Sequence, residues 1–255
     1  MPFCVPLLIV LIAGSLGLAA TARPGSGLLV SSVSPLPLPS SILLVPGNAT
    51  HPAKNRAVNN DSVKDRWIPV PAWLGGTWRA NSQIVLYSYN FQLKQYVVSS
   101  PTKIPIDRIS TIGAQKEDNG QLWHYTAAPY LRVIETPAYI ERQWIEHVSL
   151  SKNMPNLFSL RCLASVTHFD KKTFEVLDVF NEETVTSYEP LADGVIQVTF
   201  VVNDFDFLGH QRTASRSTCT EYRIKPFERV DMDKRGNLRR LFLDFLRTDT
   251  QNVQM

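Results

Sequence analysis

Gly76-Thr77-Trp78 marks the point where the character of this sequence changes. From Gly76 to about Phe227, apolar and polar residues alternate with a period of two, which is the spacing of a half-buried β-strand. Ahead of Trp67 lie an apolar leader and a proline-rich segment without such a period. The sequence therefore predicts an all-β domain over residues 67–230.

The predicted strands are separated by residues that favour turns. Asp118-Asn119-Gly120 has the Asn-Gly pair of a hairpin, and Asn181-Glu182-Glu183 and the segment 203–209 are interpreted as polar turns. The inward side chains of the two clearest strands are Phe158, Leu160, Cys162, Ala164 and Val166, and Ile196, Val198, Phe200 and Val202. Since the turns are roughly 8 to 15 residues apart and no β-α-β rhythm is present, we expect an antiparallel meander, either a barrel or a sandwich.

The amino-terminal region is typical of an exported chain. Residues 1–22 contain no charged side chain, and Ala20-Thr21-Ala22 supplies the small residues that a signal peptidase requires. We therefore predict a signal peptide at 1–22, with an uncleaved membrane anchor as the alternative. Residues 23–66 are rich in Pro, Ser and Asn and are predicted to form a disordered tether.

One helix is predicted at the carboxyl end, over residues 231–248, followed by a tail at 249–255. Asp231 or Asp233 could cap its start. Its apolar stripe consists of Leu238, Leu241, Phe242, Phe245 and Leu246, at the spacing of one helix face. We expect this stripe to pack on the wall of the barrel, and the alternative is a helix lying on an anionic membrane surface.

Two cysteines remain after removal of the leader, Cys162 and Cys219. In an exported chain they could form a disulfide, because export compartments are often oxidising. The alternative is two separately buried free thiols.

Gly76-Thr77-Trp78 at the head of the first long strand resembles the hallmark of the lipocalins, or calycins. The resemblance implies an up-and-down, eight-stranded β-barrel whose closed end is sealed by Trp78. It also implies a basic side chain from the last strand over the Trp78 ring. Arg223 is the best match for that side chain, and Arg216 is the second choice.

The region from Trp67 to about Arg247 is also similar to a cyanobacterial and plastid family described only as a domain of unknown function. That resemblance implies a thylakoid-lumen or periplasmic location and brings no catalytic residue or cofactor. The stretches that carry it are Pro71-Ala72-Trp73-Leu74-Gly75-Gly76-Thr77-Trp78, Thr111-Ile112-Gly113, Ala164-Ser165-Val166-Thr167-His168-Phe169-Asp170-Lys171-Lys172 and Arg216-Ser217-Thr218-Cys219-Thr220-Glu221.

An aromatic-rich segment in the middle of the domain provides the candidate pocket. Trp123, Tyr125 and Trp144, with Arg142 as a polar contact, could line an apolar cavity, or they could be ordinary packing residues. Closed barrels of this size can hold one small ligand.

Catalytic and metal motifs are not found in the sequence. The five histidines are scattered, and Glu182-Glu183, placed at a predicted turn, are interpreted as solvated. The sequence therefore predicts ligand carriage or partner binding rather than turnover. A buried His or Cys within hydrogen-bond reach of an acidic side chain in a cleft would contradict this interpretation.

Three functions remain open. The first is an exported binding protein for a small apolar ligand of the pigment or lipid class. The second is a structural or assembly factor with a filled barrel that docks on a membrane complex of the photosynthetic kind. The third is a chromophore-attaching enzyme. The net charge of +3 argues against nucleic acid as a partner, since a nucleic-acid-binding domain usually carries a clustered basic face.

Overall fold

The computed structural model describes residues 66–136, 138–233 and 236–252. The predicted signal peptide (1–22), the tether up to residue 65 and the last three residues of the tail lie outside the described residues. Within them the chain forms antiparallel β-sheets and one carboxyl-terminal helix. The predicted all-β class with a terminal helix is confirmed.

The strands alternate with short connections along the chain. A 3₁₀ turn (Ala72–Leu74) follows the first strand, and the helix α1 spans Leu238–Asn252. In chain order the strands are β1 (Trp67–Val70), β2 (Gly76–Asn90), β3 (Gln95–Val98), β4 (Thr102–Ile112), β5 (Gln115–Lys116), β6 (Leu122–Tyr125), β7 (Tyr130–Glu135), β8 (Tyr139–Met154), β9 (Leu157–Asp170), β10 (Val176–Ala192), β11 (Val195–Phe205), β12 (Gln211–Lys225), β13 (Met232–Asp233) and β14 (Gly236–Asn237).

A large antiparallel sheet holds most of these strands in the order β3-β2-β12-β11-β10-β9-β8-β7, and β4 pairs with β2 beside β3. From β7 to β12 each strand pairs with the next one along the chain, which is an up-and-down arrangement. No closed barrel is found among the described residues, because β7 and β4 lie at opposite edges of the sheet. The chain passes between these edges through β5 and β6, and a separate small sheet forms in the order β1-β6-β5.

The predicted turn at Asn181-Glu182-Glu183 is wrong. β10 continues through these residues and pairs with β9 on one side and β11 on the other. Asp204 was likewise placed in a turn, but it lies on β11, and the chain reverses after it at Asp206–Gly209. Hydrogen bonding to a neighbouring strand overrides the weak strand preference of Asn, Asp and Glu at these positions.

The inward face of the large sheet has two different ends. Because neighbouring strands run in opposite directions, Trp78, Phe158 and Arg223 lie together at one end, called here the Trp78 end. Ser88 and Asp204 lie at the other, called here the cleft end. The Trp78 end is filled by a core that includes Trp78, Phe158, Tyr188, Ile196, Val198 and Phe200.

Arg223 stacks on Trp78 as the sequence predicted. Its guanidinium carbon lies 4.7 Å from the ring centroid, and its Nη2 donates a hydrogen bond to the Trp73 carbonyl at 2.5 Å. The fully buried indole of Trp78 donates to the Leu74 carbonyl at 2.9 Å. The 3₁₀ turn is thus bonded to both members of the stack, which fixes the start of the large sheet.

A fully buried ion pair lies further inside the same end. Arg108 Nη2 is 2.5 Å from Glu221 Oε1, and each side chain is only 1 % exposed. Ser110 donates to the second Glu221 oxygen at 3.2 Å, and the Phe200 ring lies 4.5 Å below the guanidinium carbon. Two desolvated charges in this setting require each other, because removing one leaves the other unpaired in a low dielectric.

The terminal helix begins later than predicted. It starts at Leu238, and Asn237 caps it by accepting a hydrogen bond from the Arg240 amide at 2.8 Å. The predicted caps Asp231 and Asp233 precede this point, and β13 and β14 form a short hairpin there. The connection to the hairpin therefore moves the helix start by about two turns.

The apolar stripe of the helix packs on the small sheet. Phe242 lies 4.9 Å from Trp67, and Phe245 lies 4.9 Å from Trp123, between ring centroids. Leu238, Phe242 and Phe245 are buried, as the predicted stripe requires. The helix covers β1, β5 and β6 rather than the large sheet, because the partners of its core are Trp67, Ala114 and Tyr125.

We predict that Phe242→Ala lowers the free energy of unfolding by about 3–5 kcal/mol, the usual cost of truncating a buried aromatic residue. Denaturant unfolding monitored by circular dichroism measures this change. Leu243→Ala is the matched control on the same helix, because Leu243 is partly exposed. Equal losses in the two variants would contradict the packing described for this helix.

Candidate functional site

The residues predicted to line a pocket do not come together. Trp123 and Tyr125 lie on β6 in the core beneath the helix. Trp144 lies on the outer face of β8 and is 48 % exposed, and Arg142 stacks on Phe169 at 4.7 Å from the ring centroid. On β8 the buried residues are Glu141, Gln143 and Ile145. Because side chains alternate along a strand, Arg142 and Trp144 point away from the interior.

The predicted disulfide is not formed, since Cys162 and Cys219 are both free. Cys162 lies on β9 and Cys219 on β12, with β10 and β11 between them. Three strand spacings amount to roughly 14 Å, beyond the limit of about 7 Å between bridged Cα atoms. Burial raises the pKa of Cys162 to about 12 and that of Cys219 to about 11, so neither thiol is a ready nucleophile.

The cleft end holds a set of buried polar side chains that the sequence did not reveal. His168 Nε2 lies 3.0 Å from Glu141 Oε2, and these two residues are direct partners on neighbouring strands. The other Glu141 oxygen accepts a hydrogen bond from Gln143 at 2.5 Å, and Arg132 donates to the Gln143 carbonyl oxygen. Tyr139 stacks on the His168 ring with 4.1 Å between centroids, which fixes the imidazole in place.

Two further carboxyl groups face the same region from the next strands. Glu182 on β10 and Asp204 on β11 are direct cross-strand partners. Glu182 Oε1 accepts a hydrogen bond from Thr184 at 3.0 Å, and Asp204 Oδ2 accepts one from Thr213. The Asp204 Oδ1 atom is buried and has no hydrogen-bond partner among the described residues.

These surroundings change the acidity of both groups. Burial, reinforced by Asp204 and Glu141, raises the pKa of Glu182 to about 8. Burial also raises the pKa of Asp204 to about 6, although the hydrogen bond from Thr213 opposes this. Like charges directly opposite each other on neighbouring strands destabilise a sheet. One of the two groups therefore holds a proton near neutral pH.

A cleft opens next to Asp204. Its volume is about 60 Å³, and it is bounded by the ends of several strands. Apolar atoms of Val97 and Phe180 face it beside the polar groups. The other residues that line it are Ser88, Asn90, Gln92, His168, Asp178, Arg212 and Thr213.

The positive charge at the rim of the cleft is neutralised locally. Arg212 donates two hydrogen bonds to the Asp178 carboxylate, at 3.0 and 2.7 Å. Its guanidinium carbon also lies 5.3 Å from the centroid of the Phe180 ring. A bidentate ion pair of this kind is strong and fixed in geometry. Because its hydrogen bonds go to Asp178, the Arg212 guanidinium offsets the charge of Asp204 only in part, and the pKa of Asp204 stays raised.

Sequence reasoning missed this site because Glu182 and Asp204 were placed in turns. The alternation of inward side chains in the sequence could have indicated the site. Glu182 has the same parity as the inward residues Phe180 and Thr184 of β10. Asp204 has the same parity as the inward residues Phe200 and Val202 of β11. His168 and Glu141 form a buried pair within hydrogen-bond distance, which is the kind of arrangement that proton-transfer sites use. Catalysis therefore stays among the candidate functions.

Two other features concern the described residues as a whole. No group of three His, Cys, Asp or Glu side chains among them is arranged to hold a metal ion. In the same part of the chain, no helix has the length and apolar character needed to cross a membrane.

We predict that the free energy of unfolding falls as the pH rises from about 4 to about 8. The pKa values of Asp204 and Glu182 are raised in the folded state, so the unfolded chain loses these protons at a lower pH than the folded one. The stability that the protonated forms contribute is therefore lost progressively above about pH 4, and the loss is complete near pH 6 for Asp204 and near pH 8 for Glu182. Glu182→Gln should reduce this slope by about 1 kcal/mol per pH unit near neutrality. Urea unfolding at a series of pH values measures it.

Glu189→Gln is the control for this experiment, because Glu189 lies on the same strand and is exposed. It removes one carboxyl group from β10 without touching the cluster. If Glu182→Gln and Glu189→Gln change the slope equally, the raised pKa of Glu182 is contradicted.

Comparison with known protein families, with characterised proteins and with solved structures found no match.

Proposed function

We propose that this chain is an exported binding protein that takes the polar head of a small amphipathic molecule into the cleft end. The observation that carries the proposal is Asp204, which lines the cleft and whose buried Oδ1 atom has no hydrogen-bond partner within the described part of the chain. An unsatisfied buried acceptor is costly in a folded protein. Asp204 is the carboxyl group among the described residues with such an oxygen atom, and it lines the cleft. A ligand that donates a hydrogen bond to Asp204 removes this cost.

The cleft supports an amphipathic ligand better than a wholly apolar one. Phe180 and Val97 offer apolar surface at the rim, and Val97 is half exposed. The Trp78 end is filled with aromatic side chains, so the apolar part of a ligand would lie toward the rim. Binding sites commonly combine such apolar walls with a few placed polar groups.

The architecture we propose is a lipocalin-like one in which the edge strands β4 and β7 do not pair with each other. The stack of Arg223 on Trp78 and the up-and-down order of β7 to β12 support this proposal. The apolar leader and Ala20-Thr21-Ala22 support export, and the resemblance to the cyanobacterial and plastid family supports the thylakoid lumen or periplasm as the location.

Acid–base catalysis on the bound molecule is the second candidate. The pair of His168 and Glu141 favours it, because a histidine held by a carboxylate is a common proton-transfer group. Glu182 and Asp204 add two carboxyl groups with raised and separated pKa values, as acid–base pairs often have.

Docking on a membrane complex is the remaining alternative, and a different surface favours it. Leu131, Val133 and Trp144 are each about half exposed on the outer face of β7 and β8. A contiguous apolar patch of this kind commonly marks a contact with another protein.

Native mass spectrometry of the full chain, purified from its own organism, tests the proposal. We expect a co-purified small molecule with the wild-type protein and its loss in Ser88→Phe, which fills the cleft from β2. Asn81→Phe is the matched control, since Asn81 is exposed on the same strand. Circular dichroism of each variant verifies folding.

The alternatives give different results in the same experiment. A bound mass that Ser88→Phe does not remove would contradict binding at the cleft. A co-purified protein without a small molecule would favour docking. If the isolated molecule is converted by fresh wild-type protein but not by His168→Asn, catalysis is favoured instead.

A further inference from the structure

The charges at the cleft end do not balance. Four carboxyl groups face this region against two guanidinium groups, so two negative charges are in excess when all of the acids are ionised and His168 is neutral. The titratable and charged groups that surround the opposed pair of Glu182 and Asp204 are Glu141 and Tyr139 on β8, Cys162 and His168 on β9, Asp178 on β10, Arg132 on β7 and Arg212 on β12.

Most of these carboxyl groups already have partners. Asp178 is held by Arg212, and Glu141 is held by His168 and Gln143. Glu182 accepts one hydrogen bond from a neutral hydroxyl group. Asp204 is only 7 % exposed, and its Oδ1 has no partner among the described residues. Arg132 offsets part of the charge on Glu182, and Arg212 offsets part of that on Asp204, but each of these carboxyl groups accepts its hydrogen bond from a neutral hydroxyl group. The negative charge that remains therefore lies mainly on Glu182 and Asp204.

We propose that the cleft binds a primary ammonium group, seated on Asp204 and facing Glu182. The inference rests on the proposed binding function and specifies its ligand class. Cross-strand partners place their Cβ atoms about 5 Å apart, so one positive group between them can interact with both carboxylates. It neutralises the repulsion and satisfies Asp204 Oδ1 in the same step.

The shape and lining of the cleft fit an ammonium group with a carbon stem. A volume of about 60 Å³ is that of two water molecules, at roughly 30 Å³ each. An ammonium group has three N–H donors and no acceptor, which suits a site rich in carboxylate oxygens. Phe180 and Val97 provide apolar surface for the stem. A metal ion is less suited, since the described residues hold no three-ligand set for one.

A proton is the competing occupant of this site. In the absence of a cation, Glu182 keeps its proton near neutral pH, because burial and the neighbouring carboxylates raise its pKa. An arriving ammonium group makes the ionised form favourable, and the Glu182 proton leaves to the buffer. Ammonium binding is therefore coupled to the release of a proton, with no covalent change.

Isothermal titration calorimetry with three probes tests the proposal on the full chain. The probes are hexylammonium, hexanol and hexanoate, which share one stem and differ in head-group charge. At about pH 6.5 we expect hexylammonium to bind, hexanol to bind at least tenfold more weakly, and hexanoate to show no binding. Repeating the titration in buffers of different ionisation enthalpy measures the proton release.

Three variants locate the binding. Asp204→Asn should weaken hexylammonium binding at least tenfold, and Glu182→Gln should abolish most of the proton release. Asp107→Asn is the matched control, since it removes the same charge from an exposed ion pair with Arg79. It should bind hexylammonium as the wild-type protein does. Wild-type binding that Asp204→Asn does not weaken would overturn the proposal.

The failure of this inference is distinguishable from the failure of the proposed function. If hexanol or hexanoate binds as tightly as hexylammonium and Ser88→Phe abolishes that binding, the cleft binds small molecules but the ammonium class is overturned. If none of the three probes binds, the ammonium proposal is overturned as well. In that case the mass-spectrometric result alone decides on the binding function.

Discussion

The strict alternation of side chains along long, doubly paired strands is the constraint on which the cleft end depends. A strand with partners on both sides cannot turn away at an unfavourable residue without losing hydrogen bonds to both neighbours. Glu182 therefore points inward in the series that begins at Phe180, and Asp204 does so in the series that begins at Ile196. The opposed carboxyl groups are a consequence of pairing that the rest of the sheet enforces.

The two ends of the interior differ in how their buried charges are compensated. At the Trp78 end, the charges of Arg108 and Glu221 compensate each other. Arg223 stacks on the Trp78 ring and donates a hydrogen bond to the Trp73 carbonyl group. At the cleft end, Glu182 and Asp204 have hydroxyl groups as their nearest partners. In the first arrangement the charges of Arg108 and Glu221 balance each other, although Arg108 Nε and Nη1 and Arg223 Nε have no hydrogen-bond partner among the described residues. In the second, two carboxyl groups face each other, and we propose that a proton or a ligand completes it. This contrast makes the cleft end the functional candidate.

The sequence predicted the parts of the fold that rest on local pattern. The strand period, the apolar stripe of the helix and the stack of Arg223 on Trp78 could be read from neighbouring residues. The start of the helix could not, because Asn237 acts as its cap only after a hairpin that involves Asp233. The gap between the edge strands β4 and β7 could not be predicted from neighbouring residues either. It depends on the pairing of β6 with β1, which are about 55 residues apart in the chain.

The site itself was unpredictable for a related reason. His168 and Glu141 are far apart in the chain and meet only through the register of β8 and β9. Glu182 was visible in the sequence but was assigned to the wrong kind of structure, since two adjacent glutamates beside an asparagine have the composition of a turn. Strand continuity, rather than composition, decided its environment.

The small sheet has a mechanical consequence. Its first strand begins at Trp67, whose ring lies 4.9 Å from both Tyr125 and Phe242, so the first described strand and the last helix belong to one aromatic core. A pulling force applied ahead of Trp67, or through the helix, acts on this core first. The large sheet, with its stack at one end and its cleft at the other, is shielded from such a load until these rings separate.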